Sequence, residues 1–125
     1  EQGILIKRSR EHLEMQIRNY SVLEHDDRIA ACVAMLPFPE DGMAELACLA
    51  VSADRRNSGF GDLLVQHVEQ RARLYGYKAL FILTTQTAHW FAERGFVAAN
   101  IEQLPQSRRE LYNHNRRSKV LIKAL

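Results

Sequence analysis

Residues 44–51, AELACLAV, and residues 56–61, RNSGFG, lie on either side of a short polar turn, and this stretch decides the fold. The first segment has the length and apolar content of a strand. After the second, an apolar residue returns at every fourth position from Phe60 to Ala72, which is the spacing of an amphipathic helix. Gly59 and Gly61, within the second segment, mark a loop before this helix. The stretch therefore predicts a strand, a glycine-containing loop and a helix in succession.

The loop before that helix has the features of an anion-binding site. Backbone N–H groups at a helix N-terminus lack intrahelical partners and lie at the positive end of the helix dipole, so they favour a pyrophosphate. Gly59 and Gly61 allow a ligand to approach the backbone closely, and Arg56 would neutralise phosphate charge. An ordinary turn before a helix is the simpler alternative, because two glycines alone are a weak motif.

Composition limits the class of protein. The 125 residues are 46% hydrophobic, which suits one globular domain, and a net charge of +2 is too small to predict a nucleic-acid surface. No apolar run approaches the roughly 18 residues that span a bilayer, so no membrane association is expected. Cys32 and Cys48 lie in apolar runs and are expected to be buried free thiols in a cytoplasmic protein. Five histidines without ligand spacing predict no metal site.

Two blocks of the sequence resemble one enzyme family. The pattern Arg56-x-x-Gly59-x-Gly61 after a strand is similar to the acetyl-CoA pyrophosphate loop of the GCN5-related N-acetyltransferases (GNAT), and residues 89–96, HWFAERGF, are similar to the later aromatic helix of that family. A narrower resemblance, to the acetyltransferase domain of bacterial N-acetylglutamate synthases, runs over nearly the whole chain. It is carried by residues 45–51, 83–85, 89–91, 111–113 and 116–120.

The resemblance implies an α/β (α+β) fold of the GNAT type. This is a mixed, mostly antiparallel sheet with helices on both faces, in which a central pair of parallel strands splays apart. The first strand and helix of the usual fold are expected to be missing. Residues 1–125 are expected to form a single domain of a longer protein whose N-terminal part resembles an amino-acid kinase.

Periodicity and turn residues predict the remaining elements. A strand–helix–strand crossover makes the strands before and after the long helix parallel. On that helix, Leu63 is placed beside the apolar stripe and Glu69 on the outer face with Asp62, Gln70 and Arg73. In the first half of the chain, the predicted segments are a helix over 10–19 after Ser9, a hairpin of strands 22–24 and 29–36 that Pro37 and Pro39 end, and a strand over 43–51. In the second half, they are a helix from Phe60 to a stop at Gly76, a strand over 79–83 and a short helix over 88–93 closed by Gly95. A strand from Phe96, a helix or turn over 105–112 and a strand over 119–122 complete the prediction.

The resemblance implies acetyl-CoA as the co-substrate. Backbone amides of the loop would hold the pyrophosphate, and the backbone of the splayed strand would pair with the pantetheine arm as an added strand does. The cofactor-binding residues that this implies are Leu49, Ala50, Val51, Arg56, Asn57, Ser58, Gly59, Phe60, Gly61 and Phe91.

Acetyl transfer to an amine requires a base for the amine proton and a donor to the thioester oxygen. Glu45, a carboxylate in an apolar strand, is the candidate base, and a structural ion pair with an arginine is the alternative. Cys48 is a good packing residue, to which the resemblance adds a role in proton transfer. Residues three apart on a regular strand face opposite sides of the sheet, so a shared role for Glu45 and Cys48 requires a bulge between Glu45 and Val51.

The acid that protonates the leaving thiolate is a separate question. Many members of the resembled family use a tyrosine in the aromatic helix, where this chain has Phe91, which cannot donate a proton. Thr84, Cys48 and water remain as candidates. The hydroxyl of Thr84 would bond the substrate or its own backbone.

The resemblance implies that the acetyl group passes to the α-amine of L-glutamate, the first step of arginine biosynthesis. Two substrate carboxylates call for forked cationic donors, and Arg8, Arg108 and Arg117 are the candidates. A solvated basic surface is the simpler explanation for any single one of them. His89 and Trp90 are candidates for lining the pocket, although packing is the commoner role of such a tryptophan.

Other functions remain open at this point. The acceptor could be a peptide N-terminus or another amino acid, and Phe91 favours a CoA-binding regulatory module without turnover. The expected partners are L-glutamate and acetyl-CoA, with neither nucleic acid nor membrane, and the full-length protein is expected to be a homo-oligomer.

Overall fold

The computed structural model describes residues 19–53, 59–110, 112 and 117–125. Within them lie the strands β1 (Tyr20–His25), β2 (Arg28–Phe38), β3 (Met43–Val51), β4 (Ala79–Thr84), β5 (Val97–Ala99) and β6 (Lys119–Ala124), and the helices α1 (Phe60–Leu74), α2 (Ala88–Ala92) and α3 (Gln106–Arg109). Single turns of 3₁₀ helix cover Pro39–Asp41 and Ile101–Gln103. The helix predicted over 10–19, apart from Asn19, and the expected absence of a first strand and helix lie outside the described residues.

The strands follow the hydrogen-bonded order β1-β2-β3-β4-β6-β5. β3 runs parallel to β4, whereas the β1–β2, β4–β6 and β5–β6 ladders are antiparallel. The mixed, mostly antiparallel sheet with a central parallel pair is therefore confirmed. The β3–β4 ladder joins Met43 to Ala79, Ala44 to Leu80 and Glu45 to Phe81, and it stops there. The chain separates into two compact units. The first unit contains the described residues 19–36, 46–53 and 59–70. The second unit contains the described residues 37–45, 71–110, 112 and 117–125.

The first unit contains the predicted hairpin. Asp26 and Asp27 form its two-residue turn with positive φ angles of 54° and 62°, a conformation that matches the twist of the flanking strands. Residues 30–35 of β2 are all buried and supply much of the core of this unit. Pro37 does not end β2, which continues to Phe38. Pro37 lies beyond Ala34, the last partner of β1, so its missing N–H removes no bond of that ladder.

Helix α1 has the predicted length, and its predicted apolar stripe is buried at Leu64, Val68 and Ala72. The buried face extends from this stripe to Val65, away from Leu63, which is 53% exposed. Glu69 is 8% exposed, because it follows Val65 by four residues and therefore lies on the inward side. The predicted exposed position of Glu69 and inward position of Leu63 were wrong.

The second unit is built on β4, which pairs with β3 along one edge and with β6 along the other. Leu80, Phe81 and Ile82 are buried, as the continuous apolar run predicts for an inner strand. Phe81 packs in a cluster with Leu104 and Val120. No helix among the described residues has both the length and the apolar content needed to span a membrane.

Candidate active site

Glu45 is a buried carboxylate held by an arginine. Its side chain is 6% exposed and that of Arg108 22% exposed. Nε of Arg108 donates to Oε1 of Glu45 at 2.7 Å, and Nη2 donates to Oε2 at 3.3 Å. This forked geometry is the strong form of an arginine–carboxylate bond. The ion pair that the sequence analysis names as the alternative for Glu45 is therefore present, and catalysis by Glu45 stays a prediction.

The core of the second unit fixes the position of Arg108. Helix α3 follows Leu104, which is 4% exposed and packs in the cluster of Phe81. The backbone N–H of Asn100 donates to Oε1 of Gln103 at 2.8 Å and closes a capping box just before this segment. Phe81 is also the ladder partner of Glu45. The apolar cluster of Phe81 and Leu104 therefore fixes the backbone near both Glu45 and Arg108.

Strand β3 leaves its regular conformation at Cys48. Its φ is 56°, in the left-handed region that non-glycine residues rarely adopt. This irregularity falls within the segment where a bulge is predicted. Sγ of Cys48 accepts a hydrogen bond from the hydroxyl of Tyr20 at 3.6 Å, and Sγ of Cys32 donates to the carbonyl of Cys48 at 3.9 Å.

The two cysteines differ in exposure. Cys32 is buried as predicted, but Cys48 is exposed, so its predicted burial was wrong. The positive φ turns the side chain out of the regular alternation of the strand, which a pattern of apolar residues cannot reveal. The residues that follow, Leu49 to Val51, are partly buried, and Ser52 then donates its backbone N–H to the carbonyl of Ala30 at 2.8 Å.

The start of α1 supplies the described part of the predicted pyrophosphate loop. Gly59 has a φ of 86°, and its carbonyl accepts the first helical hydrogen bond from Leu63 at 3.1 Å. An added Cβ at Gly59 would meet no atom of the described residues within 4 Å. Phe60 packs against the ring of His25 with centroids 5.6 Å apart, a contact that the sequence analysis missed. Gly61 is partly buried in the first turn.

Several predicted site residues lie outside the described residues. Arg56, Asn57 and Ser58 of the predicted loop and Arg8 of the predicted substrate site belong to this group. Arg117 is described and is exposed, with a φ of 53°.

The hydroxyl of Thr84 is engaged by its own chain. Its Oγ1 accepts the backbone N–H of Thr87 at 3.0 Å and that of Gln86 at 3.3 Å. It also lies 2.6 Å from the hydroxyl oxygen of Thr87. The bond to its own backbone, one of the two predicted alternatives, is present at the entry to α2.

Helix α2 carries an aromatic cluster. The ring of Phe91 contacts Trp90 and Phe96 edge to face, with centroids 4.8 and 5.5 Å away. Phe91 is 5% exposed, so the structure places its ring in the core, and its contact with a cofactor stays a prediction. The guanidinium of Arg94 lies 3.6 Å from the centroid of Trp90, a cation–π contact, and its Nη1 donates to the carbonyl of the same residue.

His89, on the same helix, has a side chain that is 89% exposed and lies 3.4 Å from the carboxylate of Glu93. A cavity of about 640 Å³ opens beside α2, β5 and the start of β6 in the second unit. His89, Asn100, Glu102, Tyr112, Ser118 and Lys119 supply polar groups to its lining. No local sequence pattern predicts this cavity, because its walls come from separate segments.

Comparisons with known proteins agree with this architecture. The family model described as "Acetyltransferase (GNAT) family" matches residues 5–96, which is more than half of the chain. An amino-acid acetyltransferase of Mannheimia succiniciproducens is 54% identical over the whole chain, and one of Azotobacter vinelandii is also 54% identical over the whole chain. The chain spans 28% and 29% of the length of these relatives.

A solved structure is similar over nearly the same extent. It is the N-acetylglutamate synthase of Neisseria gonorrhoeae complexed with coenzyme A and N-acetyl-glutamate, with 46% identity and a TM-score of 0.89. The match covers 99% of this chain and 30% of that protein. Together with the parallel β3–β4 pair and the glycine at the start of α1, the family match shows that the chain belongs to the acetyltransferase (GNAT) family.

Proposed function

We propose that this chain is the acetyltransferase domain of an N-acetylglutamate synthase and moves the acetyl group of acetyl-CoA to the α-amine of L-glutamate. One observation carries the proposal. The chain matches, over 99% of its length and at 46% identity, a synthase whose structure holds coenzyme A and N-acetyl-glutamate. The proposal extends to a cytoplasmic homo-oligomer in which an amino-acid-kinase-like part precedes this domain and which serves the first step of arginine biosynthesis.

The reaction assigns a task to each part of the site. The amine nitrogen attacks the thioester carbonyl, the C–S bond breaks, and the amine loses a proton while the thiolate gains one. Glu45 takes the amine proton, and the helix N-terminus at Gly59, whose φ of 86° suits glycine, receives the diphosphate of the cofactor. The backbone from Leu49 to Val51, beyond the end of the β3–β4 ladder, pairs with the pantetheine arm.

Binding of the amino acid is assigned to arginines. Arg108 uses Nε and Nη2 for Glu45. Among the described residues, its Nη1 has no hydrogen-bond partner, and this group is the one assigned to a substrate carboxylate. Arg117 and Arg8 are the other proposed carboxylate ligands. Cys48, Thr84 and water are the proposed sources of the proton for the thiolate, since Phe91 has none to give.

Thiol release from acetyl-CoA tests the proposal with a panel of acceptors that includes L-glutamate, L-glutamine, L-aspartate and a peptide N-terminus. The expected result is release that depends on L-glutamate and falls roughly 100-fold or more in Glu45→Gln, because general-base catalysis contributes about 10² to 10⁴ in rate. CoA binding is expected to persist in that variant.

The other outcomes identify the competing functions. Turnover with a different amine would change the acceptor, and CoA binding without any turnover would select the regulatory module that Phe91 favours. Near-normal turnover by Glu45→Gln would remove Glu45 as the base while leaving the acetyltransferase activity in place.

A further inference from the structure

We propose that Arg108 is a positioning residue for Glu45, and that it acts on the rate of acetyl transfer through the carboxylate it holds. This inference rests on the proposed function. It goes beyond the predicted role of Arg108 as a substrate ligand, because it assigns to Arg108 an effect on the chemical step as well as on binding.

The geometry of the pair supports a positioning role. Each carboxylate oxygen of Glu45 accepts one N–H of the same guanidinium, at 2.7 and 3.3 Å, so the plane of the carboxylate is fixed relative to the guanidinium. A carboxylate oxygen has two lone pairs, and each one here keeps a lone pair beyond the bond to Arg108. The pair therefore orients Glu45 without using up its capacity to accept a proton.

Burial explains why such an arginine is needed. The side chain of Glu45 is 6% exposed, and an isolated buried carboxylate is strongly unfavourable. Among the described residues, Arg108 is the cation that lies within 4 Å of it. Arg108 thus supplies the ion-pair partner of the buried carboxylate and holds it in place at the point where the β3–β4 ladder ends.

The position of the guanidinium is itself fixed. Leu104 anchors the segment before α3 in the core, and the backbone N–H of Arg108 donates to the carbonyl of Pro105 at 2.9 Å. Pro105 is almost fully buried. A small error in the placement of a base costs up to about 100-fold in rate, so a rigid anchor of this kind has a direct kinetic effect.

The test is a double-mutant cycle on kcat and KM for L-glutamate at saturating acetyl-CoA, made in the protein that carries this chain. Arg108→Lys keeps the charge but loses the fork, so it separates orientation from charge. We expect Arg108→Lys to lower kcat roughly 10- to 100-fold. In the Glu45→Gln background the same change is expected to have no further effect on kcat, because the base that it positions is gone.

Arg109→Lys is the matched control, since Arg109 is the exposed neighbour on the same helix, and it is expected to leave kcat and KM unchanged. Melting temperature and CoA binding verify that each variant is folded. Should Arg108→Lys fail to fold, Arg108→Gln, which keeps an N–H donor but loses the fork and the charge, replaces it in the same cycle and is likewise expected to lower kcat only when Glu45 is present.

Three results would overturn the inference. The first is a rise in KM with kcat unchanged in Arg108→Lys. The second is a double variant whose loss of kcat equals the product of the losses in Arg108→Lys and Glu45→Gln, because such a result means that the two residues act independently. The third is absence of L-glutamate turnover in the wild type. That result rejects the proposed function itself and so differs from the first two, in which the wild type is active.

Discussion

At the scale of the residue, alanine substitutions at Gly59 and Gly76 can be compared to separate an effect on cofactor binding from an effect of backbone strain. Their φ angles are 86° and 82°, and an added Cβ would meet no described atom within 4 Å at either position. Alanine in this left-handed conformation costs about 1–2 kcal/mol at both sites. Only Gly59, however, opens the helix whose N-terminus is proposed to receive the diphosphate.

We therefore expect Gly59→Ala and Gly76→Ala to lower the free energy of unfolding by similar amounts, about 1 kcal/mol each. CoA affinity is expected to fall in Gly59→Ala, because the added methyl group enters the space that the diphosphate needs, and to stay unchanged in Gly76→Ala. Chemical denaturation and isothermal titration calorimetry measure the two quantities. Equal CoA affinity in both variants would place the cofactor elsewhere.

At the scale of the element, strand β3 shows what the sequence could predict and what it could not. Its limits at Met43 and Val51 are those predicted, because the apolar run and the flanking polar residues define them locally. The break at Cys48 was anticipated only as a requirement of the resembled fold. The partner of Glu45 lies 63 residues away in Arg108, and no local pattern records a contact over such a separation.

Helix α1 shows a similar limit. The apolar spacing predicts the helix and its length, since these depend on periodicity within the segment. The burial of Glu69 depends on the direction in which the buried face widens from the predicted stripe, and this direction is set by the elements that pack against the helix. The role of Thr84 could not be predicted for the same reason. Its hydroxyl can bond either the substrate or its own backbone, and the neighbouring groups that decide between the two are not evident from the local sequence.

The conformation of Cys48 leads to a prediction about this strand. Replacement of a residue by glycine usually weakens a strand, but at a φ of 56° glycine also removes strain. We expect Cys48→Gly to be more stable than Cys48→Ala by about 1 kcal/mol. At the neighbouring Ala47, in the same strand, replacement by glycine is expected to destabilise by about 0.5–1 kcal/mol.

Thermal or urea denaturation of the three variants measures these differences. Lower stability of Cys48→Gly than of Cys48→Ala would show that residue 48 has an ordinary extended backbone, and the irregularity of β3 would then lose its support.

At the scale of the whole molecule, binding of CoA should raise stability through mass action. A ligand that binds only the folded state at 100 times its Kd adds about 2.7 kcal/mol. For a chain of 125 residues this corresponds to an increase in melting temperature of roughly 10 °C. Adenosine, which lacks the diphosphate, is expected to give little increase. Differential scanning calorimetry measures both, and equal shifts with the two ligands would argue against a diphosphate site.

The order of the strands also bears on how the protein is made. Among the described strands of the second unit, β5 joins the sheet by pairing with β6, although the ribosome synthesises β5 about twenty residues earlier. Until β6 emerges, the full length of β4 that it will cover, from Ala79 to Thr84, exposes unpaired backbone groups and apolar side chains. We therefore expect a nascent chain halted just before Lys119 to bind chaperones and to aggregate more readily than the complete chain.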